Sequence, residues 1–251
     1  MGRATLLALL IGAAACAAPV PPETEAGRRA RIYGTPAAPN DGVKYALAGN
    51  NALKATYPRR ELPLPVLPDV QPTPEQLALW KWKPTPANAA RLGRELRGDF
   101  TASVRVTFAL RQGPLEIPRG QRFLPAGVGL FAWSGAGDHV GVVRCEAAAG
   151  IPGKNAIVVR EEFQTVFTHA LGVRTATGEL PNTTDSAHVR LTRKGAVVRG
   201  AYSRDGTAWT ELPPDEVDWK EVVTVGVYAA HALEQPFDVT FEEYAVTAPV
   251  K

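Results

Sequence analysis

The chain has 251 residues, of which 45% are hydrophobic and 21% charged, and its formal net charge at pH 7 is +3. This composition excludes an intrinsically disordered chain, and the length suits one large all-β domain preceded by a signal segment. Arginines are scattered along the chain rather than clustered on one element, which argues against a nucleic-acid partner.

Residues 1–18 have the pattern of an export signal. Arg3 precedes an apolar run from Leu6 to Ala15, and small residues suited to cleavage follow. The run is too short to span a bilayer as a helix of the mature protein. We therefore expect an exported protein that is either periplasmic, bound to the cell envelope, or secreted.

Cys16 stands where a bacterial lipoprotein carries its lipidated cysteine, after Ala14 and Ala15. Ala13 departs from that motif, in which Leu is usual at this position. Two outcomes are open: a lipid on Cys16 that tethers the protein to a membrane, or removal of Cys16 with the signal. A disulfide with Cys145 is disfavoured, because Cys145 falls on a predicted interior strand, where cysteine is commonly a small buried hydrophobic residue.

Residues 19–31 are rich in proline and charge, so we predict a flexible tether in front of a sandwich domain that spans residues 32–251. Near the start of that domain, Lys44–Ala48 and Ala52–Thr56 are predicted to pair as a hairpin. The turn between them, Gly49-Asn50-Asn51, consists of residues that tolerate positive φ.

A proline-rich inserted arm is predicted at residues 58–86, because its prolines cannot donate to a β-ladder. Within it, Thr73-Pro74-Glu75-Gln76 combines an N-cap, a first-turn proline and a capping-box glutamine. This pattern predicts one short helix that ends near Trp80, and a further turn is expected around Asn88–Leu92. Trp80 and Trp82 alternate with lysines and either offer an exposed stacking surface for a ligand or pin the arm to the domain.

The stretch from His188 to Leu212 predicts three alternating strands, joined at Lys194-Gly195 and Asp205-Gly206. Trp209 is expected to cover the second turn, in which Ser203 and Asp205 satisfy backbone amides. The residues expected to face the core are Val189, Leu191, Val197 and Tyr202.

The remaining strands are predicted from apolar alternation between turn signals. They are Phe100–Leu110, Gly127–Trp133, His139–Glu146, Ile157–Phe163, Val166–Val173, Val222–Ala229 and Phe237–Val246. Such a series, without intervening helical periodicity, predicts an all-β sandwich of two antiparallel sheets.

Several motifs occur in a fixed order along residues 32–247. They are Asn88-Ala89-Ala90-Arg91, Gly98-Asp99-Phe100-Thr101, the strand Ala126–Trp133, the hairpin segments Arg190–Gly195 and Tyr202–Trp209, and the closing segments Val225–Tyr228 and Phe241–Tyr244. In this order they resemble a family of exported concanavalin A-like domains of unknown function, related to the C-terminal sandwich of β-xylosidases. The resemblance implies a curved jelly-roll sandwich of a kind that often binds carbohydrate on its concave face, and it does not imply an enzyme.

Trp133 is the leading candidate for a sugar-binding residue. A sugar ring offers an apolar face and hydroxyls, so its sites combine an aromatic plane with planar hydrogen-bonding groups. Trp133 lies at a predicted strand end, and we expect His139 and Arg160 nearby as the hydrogen-bonding groups. The alternative is that Trp133 packs in the core with Phe131, two positions earlier on the same face.

Catalytic and metal-binding patterns are weak. Glycoside hydrolysis requires paired carboxylates, and Glu146 could form such a pair with either Glu161 or Glu162 across neighbouring strands. Glu161 and Glu162 are adjacent and belong to opposite faces of their strand, so they cannot pair with each other. The four histidines show no metal spacing, and loops at Asp138 and Asp185 have too few oxygen ligands to support calcium. We therefore expect no catalytic residue, metal or cofactor.

The sequence predicts an exported, non-catalytic β-sandwich module that binds carbohydrate or another cell-surface polymer. Contact with a membrane is expected only through a lipid on Cys16. The alternative is a cell-envelope scaffold or protein-interaction domain that uses the arm at 58–86. A weak glycoside hydrolase using Glu146 and Glu162 is the third hypothesis.

Overall fold

The computed structural model describes residues 23–37, 42–58, 89–108, 122–135, 138–150, 157–169, 172–179, 186–231 and 236–248. For residues 122–125, 146–150, 157–161, 169 and 172–173 the description covers the backbone alone. The predicted signal, Cys16, the helix expected near Trp80, Trp82 and Asp185 all lie outside the described residues.

The described residues form one helix and fifteen strands. The helix is α1 (Glu25–Tyr33), and the strands are β1 (Thr35–Ala37), β2 (Lys44–Ala48), β3 (Ala52–Tyr57), β4 (Ala90–Arg97), β5 (Phe100–Thr107), β6 (Arg122–Gly135), β7 (Asp138–Gly150), β8 (Ile157–His169), β9 (Gly172–Glu179), β10 (Ser186–Lys194), β11 (Val197–Ser203), β12 (Thr210–Glu211), β13 (Asp215–Glu216), β14 (Val222–His231) and β15 (Phe237–Thr247). No helix in this part of the chain is long and apolar enough to cross a membrane.

The strands build two antiparallel sheets. Sheet A has seven strands in the order β1-β4-β14-β6-β7-β8-β9. Sheet B has eight, in the order β12-β11-β10-β5-β15-β3-β2, with β13 beside β11. The predicted all-β jelly-roll sandwich is therefore confirmed.

The main hydrophobic core lies between the two sheets. Along β5 and β10 buried and part-buried residues alternate strictly, as expected when one face of a strand is packed and the other is wet. Leu92 and Leu130 of sheet A meet Val104 and Leu191 of sheet B in this core, each at most 1% exposed. Full burial of each such side chain contributes about 1.5–3 kcal/mol before the entropy of ordering is subtracted.

The hairpins predicted at both ends of the domain are confirmed. Lys44–Ala48 pairs with the strand that begins at Ala52, and β10 pairs with β11 in the register expected for the turn after Lys194. One face assignment was wrong, because Val197 is 38% exposed while Val198 is fully buried. The two-residue period places Val198, not Val197, on the same face as Tyr202.

The turn after β11 has the predicted side-chain bonds. The amides of Thr207 and Ala208 donate to Asp205 Oδ1 at 2.8 and 3.0 Å, and Gly206 N donates to Ser203 Oγ at 3.0 Å. Trp209 Nε1 donates to Gly206 O at 3.0 Å, so the indole closes the turn. The structural role expected for Trp209 is consistent with these contacts.

The tether predicted at 19–31 was wrong for its second half, because α1 begins at Glu25. Thr24 caps the helix by accepting from Gly27 N at 3.1 Å. Glu25 and Arg29 then bond the backbone of β2 through Leu47 N and Tyr45 O. Composition alone missed this helix because its stability comes from these contacts with the sheets rather than from an apolar stripe.

Three other elements differ from prediction. The expected turn around Asn88–Leu92 is instead the start of β4, and the two strands predicted within 157–173 are one strand, Ile157–His169. The edge strand Gly172–Glu179 was missed. Gln164 and Thr165 were read as a break between strands, yet both are buried within β8.

Candidate functional site

The central strands of sheet A are buried on both faces. The face directed away from sheet B, the outer face of sheet A, has a second apolar cluster that includes Phe131, Val143 and Tyr228, all 0% exposed. A Cβ at Gly93 would lie 2.7 Å from Phe131 Cζ, so a glycine there makes room for the ring. The middle of this face is therefore packed and shielded from water, while Trp133 and Thr168 at one end of it are only part-buried.

Trp133 lies at the edge of that cluster and is part-buried. The ladder between β6 and β7 sets His139 directly opposite, and the imidazole stacks on the indole with ring centroids 4.5 Å apart and an interplanar angle of 11°. The guanidinium carbon of Arg91, on β4, lies 4.2 Å from the indole centroid. Trp133 thus packs beside Phe131, as the alternative reading predicted, and at least one of its faces is already occupied by the protein.

His139 is neutral at physiological pH. Its side chain is 2% exposed, and burial, together with the charge of Arg91, lowers its pKa to about 4. A neutral imidazole has one donor and one acceptor nitrogen, and here neither Nδ1 nor Nε2 has a hydrogen-bond partner. Buried polar atoms are normally satisfied, so this histidine is the most unusual group on the face.

A line of polar groups continues along β8. Thr168 stands opposite His139 in the ladder, and its Oγ1 is buried without a partner. Gln164 donates through Nε2 to Glu162 Oε2 at 3.2 Å, while its Oε1 is also unpartnered. From Thr168 to Glu162 this line extends about 20 Å, at about 3.3 Å per residue.

Arg160 does not join Trp133 and His139, so that prediction was wrong. The register sets Arg160 opposite Ala147, eight positions further along β7 than His139. This spacing separates the two backbones by about 26 Å, beyond the reach of an arginine side chain.

Arg91 is instead the arginine that reaches the indole. It lies in the Asn88–Arg91 motif, which marked the start of the domain but gave no indication of which strand would neighbour Trp133. Gln164 and Thr168 were also missed, because only the β7–β8 register places them in line with His139.

The pairing of Glu146 with Glu162 expected for hydrolysis was wrong, whereas Glu146 stands directly opposite the other candidate, Glu161. Cys145 pairs with Glu162, and Glu146 pairs with Glu161. Since neighbouring positions of a strand belong to opposite faces, positions 146 and 162 lie on different sides of sheet A. In the described part of the chain, no three His, Cys, Asp or Glu residues are grouped closely enough to hold a metal ion.

Comparison with known proteins adds a family match over part of the chain. Residues 160–249 match the model of a protein of unknown function, DUF1349. Glu162, Gln164 and Thr168 lie within the matched segment, whereas Arg91, Trp133 and His139 precede it. The chain has no significant match among curated proteins.

Solved structures similar to this chain share its fold. A functionally unknown protein from Saccharomyces cerevisiae is 16% identical with a TM-score of 0.58, covering 86% of this chain and 97% of that one. The GH43 protein BlXynB from Bacillus licheniformis is 12% identical with a TM-score of 0.50, and a mutant of it is 10% identical with a TM-score of 0.52. Each of these matches covers 82% of this chain and 35% of the GH43 protein, and at such identities the similarity shows the sandwich fold alone.

Proposed function

We propose that the outer face of sheet A binds a carbohydrate chain and does not catalyse its cleavage. The observation that carries the proposal is His139, a buried neutral imidazole with both nitrogens unpartnered beside an indole. Retaining such a group costs free energy of about 1–3 kcal/mol per unsatisfied atom, a cost that a bound ligand offsets.

A sugar hydroxyl matches these groups chemically. Each hydroxyl donates one hydrogen bond and accepts others, so one hydroxyl can accept from the N–H of a neutral imidazole while another donates to its second nitrogen. The hydroxyl of Thr168 and Oε1 of Gln164 offer further bonds of the same kind along β8. A ligand with charged groups only would leave part of this mixed set unmatched.

The part of the polar line that lies nearest to solvent is its end at Thr168 and Trp133, which are part-buried, whereas Gln164 and Glu162 are 2% and 5% exposed. The site therefore fits the end of a carbohydrate chain rather than its middle. Trp133 and Arg91 lie at one end, where their part-buried flat surfaces can contact the terminal unit. The shared fold of the GH43 protein is consistent with a module of this class.

Binding without catalysis is proposed because positions 146 and 162 belong to different faces of sheet A. Glu146 stands opposite Glu161 instead, and the assay for new reducing ends described below tests whether that pair cleaves a glycan. The further sites suggested by sequence, Trp80 and Trp82 in the arm, stay predictions.

Calorimetry with xylan, mixed-linkage β-glucan, pectin and chitosan oligosaccharides, using the full chain, tests the proposal. We expect one of these classes to bind, with no new reducing ends formed. Thr168→Val should weaken binding about tenfold, the loss of roughly one hydrogen bond, and His139→Phe should weaken it further.

The matched control is Thr192→Val on β10, whose hydroxyl lies 3.4 Å from that of Thr101 on the opposite side of the molecule. It should leave affinity unchanged. Thr168→Val should also make the unbound protein more stable, by about 1–3 kcal/mol, because the buried hydroxyl it removes has no partner there. Failure of every polysaccharide class to bind, or equal loss in both valine variants, would overturn the proposal.

We also propose that the protein is exported and acts in the periplasm, at the cell envelope, or as a secreted protein. Mass spectrometry of the native N-terminus tests this directly. A mature chain that begins at Cys16 with added acyl mass would establish a lipid tether. Cleavage after Ala18, or after Ala15 without added acyl mass, would establish export without a lipid tether, and an intact N-terminus would refute export.

A further inference from the structure

A second unusual site lies where the end of α1 meets both sheets. Tyr33, the last residue of α1, stacks on Tyr244 of β15 with ring centroids 5.1 Å apart. The next residue, Gly34, lies against the backbone of β4, because a Cβ at this position would be only 2.7 Å from Arg94 N. The backbone at Arg94 therefore lies beside the end of α1, and the charge of Arg94 acts on Tyr244. Tyr33, Tyr244 and Arg94 are called the α1 corner.

Arg94 points toward the space between the sheets. Leu92 and Leu96, two positions to either side on β4, both pack in the main core, and alternation places Arg94 on their face. Arg94 is part-buried, its Nε is shielded from solvent, and in the described part of the chain it has neither a hydrogen bond nor an ion pair.

Tyr244 supplies a second unpartnered donor. Its hydroxyl is buried with no hydrogen-bond partner, whereas the hydroxyl of Tyr33 lies 2.9 Å from Asn51 O and 3.0 Å from Phe241 O. Burial raises the pKa of the Tyr244 hydroxyl, and the nearby positive charge of Arg94 offsets only part of that rise. The phenol thus stays protonated and able to donate.

We propose that Arg94 and Tyr244 bind a small carboxylate at the α1 corner. A guanidinium donates to both oxygens of a carboxylate in a planar pair, and a phenol can donate to one of them. One negative charge balances the single charge of Arg94, which would otherwise remain half-buried and unpaired. The charge of Glu242 acts on Tyr33, but this carboxylate is already paired with Arg105 at 3.0 Å and does not neutralise Arg94.

This site is separate from the proposed carbohydrate surface. Arg94 faces sheet B, whereas Trp133 and His139 lie on the opposite side of sheet A. Loss of either site would therefore leave the other intact.

Titration with sodium acetate against sodium chloride at constant ionic strength, followed by NMR of the arginine Nε–H groups, tests the proposal. We expect a saturable shift of the Arg94 signal. Tyr244→Phe, which keeps the stacked ring, should weaken acetate binding about tenfold, and Arg94→Met should abolish it.

Arg97→Met is the matched control, because Arg97 lies three residues beyond Arg94 on the same strand. Arg97 is exposed and already paired with Glu221 at 3.2 Å, so its loss should leave acetate binding unchanged. A linear, non-saturating shift of Arg94, or equal affinity in the wild type and Tyr244→Phe, would overturn the proposal. So would an Arg94→Met protein that still gains thermal stability from acetate over chloride.

Discussion

The outer faces of the two sheets differ in whether their polar side chains have hydrogen-bond or ion-pair partners. On the outer face of sheet B, charged side chains meet partners near solvent: Arg190 lies 2.6 Å from Glu211, and Arg105 lies 3.0 Å from Glu242. On the outer face of sheet A, both ring nitrogens of His139 and Oε1 of Gln164 are buried without partners. Antiparallel sheets commonly keep one wet face, and sheet B follows this rule while sheet A departs from it. These unpartnered buried atoms lower the stability of sheet A, and they are the basis of the binding site proposed above.

The largest expected difference between the faces is in packing. Phe131→Ala on sheet A should lower the free energy of unfolding by about 3–5 kcal/mol, because the ring is fully buried and packs edge-on against Tyr228. Arg105→Met on sheet B should cost less than about 1 kcal/mol, since ion pairs near solvent contribute little. Urea unfolding of both variants measures the contrast, and similar costs would show that the two faces are not packed differently.

The second difference is in the response to pH. The pKa of His139 is about 4 in the folded protein and ordinarily 6.5. Between pH 4 and pH 6.5, His139 is therefore protonated in the unfolded chain and neutral in the folded protein. The free energy of unfolding should therefore fall as the pH drops from 6.5 to 4, by about 3 kcal/mol from this residue.

His139→Phe should remove this slope, as followed by urea unfolding at a series of pH values. His188, half-buried on sheet B, also has a pKa lowered by burial, so its contribution has the same sign. We expect His188→Gln to flatten the profile less than His139→Phe does. Wild-type and His139→Phe profiles that run parallel would refute the buried neutral imidazole.

The smallest expected effect concerns backbone strain on sheet B. Glu243 has a φ of 53° where β15 bulges against β5, and its carboxylate lies 3.1 Å from Arg105. Glu243→Gly and Glu243→Ala both lose that ion pair, but only glycine adopts positive φ without strain. The glycine variant should be more stable than the alanine variant by about 1 kcal/mol in chemical unfolding, and equal stabilities would show that the bulge is unstrained.

Local patterns predicted the sandwich well, and long-range contacts account for what they missed. The strands between Ser186 and Ser203 follow from alternation and a glycine turn, which are properties of adjacent residues. The position of Arg91 over Trp133 depends instead on the strand order β4-β14-β6, which no short-range signal contains. The same holds for α1, whose contacts with β2 and β15 join residues far apart in the chain.

Strand register limited the site prediction in a similar way. Trp133 and His139 are six residues apart across a short connection, so their meeting could be anticipated from sequence. Arg160 was grouped with them because arginine is a planar hydrogen-bonding group. Only the pairing of β7 with β8 reveals that its position lies far from His139. Buried polar residues in the middle of β8, such as Gln164, looked like a break between strands because periodicity cannot show that a sheet is covered on both sides.

Helix α1 determines how a mechanical load would enter the domain. A pull on the chain at residue 23 would reach sheet B through the bonds of Glu25 and Arg29 to β2, and through the bond of Tyr33 to Phe241 on β15. The same pull would reach sheet A through Gly34 and the pairing of β1 with β4. Tension would thus be shared between the two sheets at one corner. This sharing opposes the separation of strands from the sandwich one at a time.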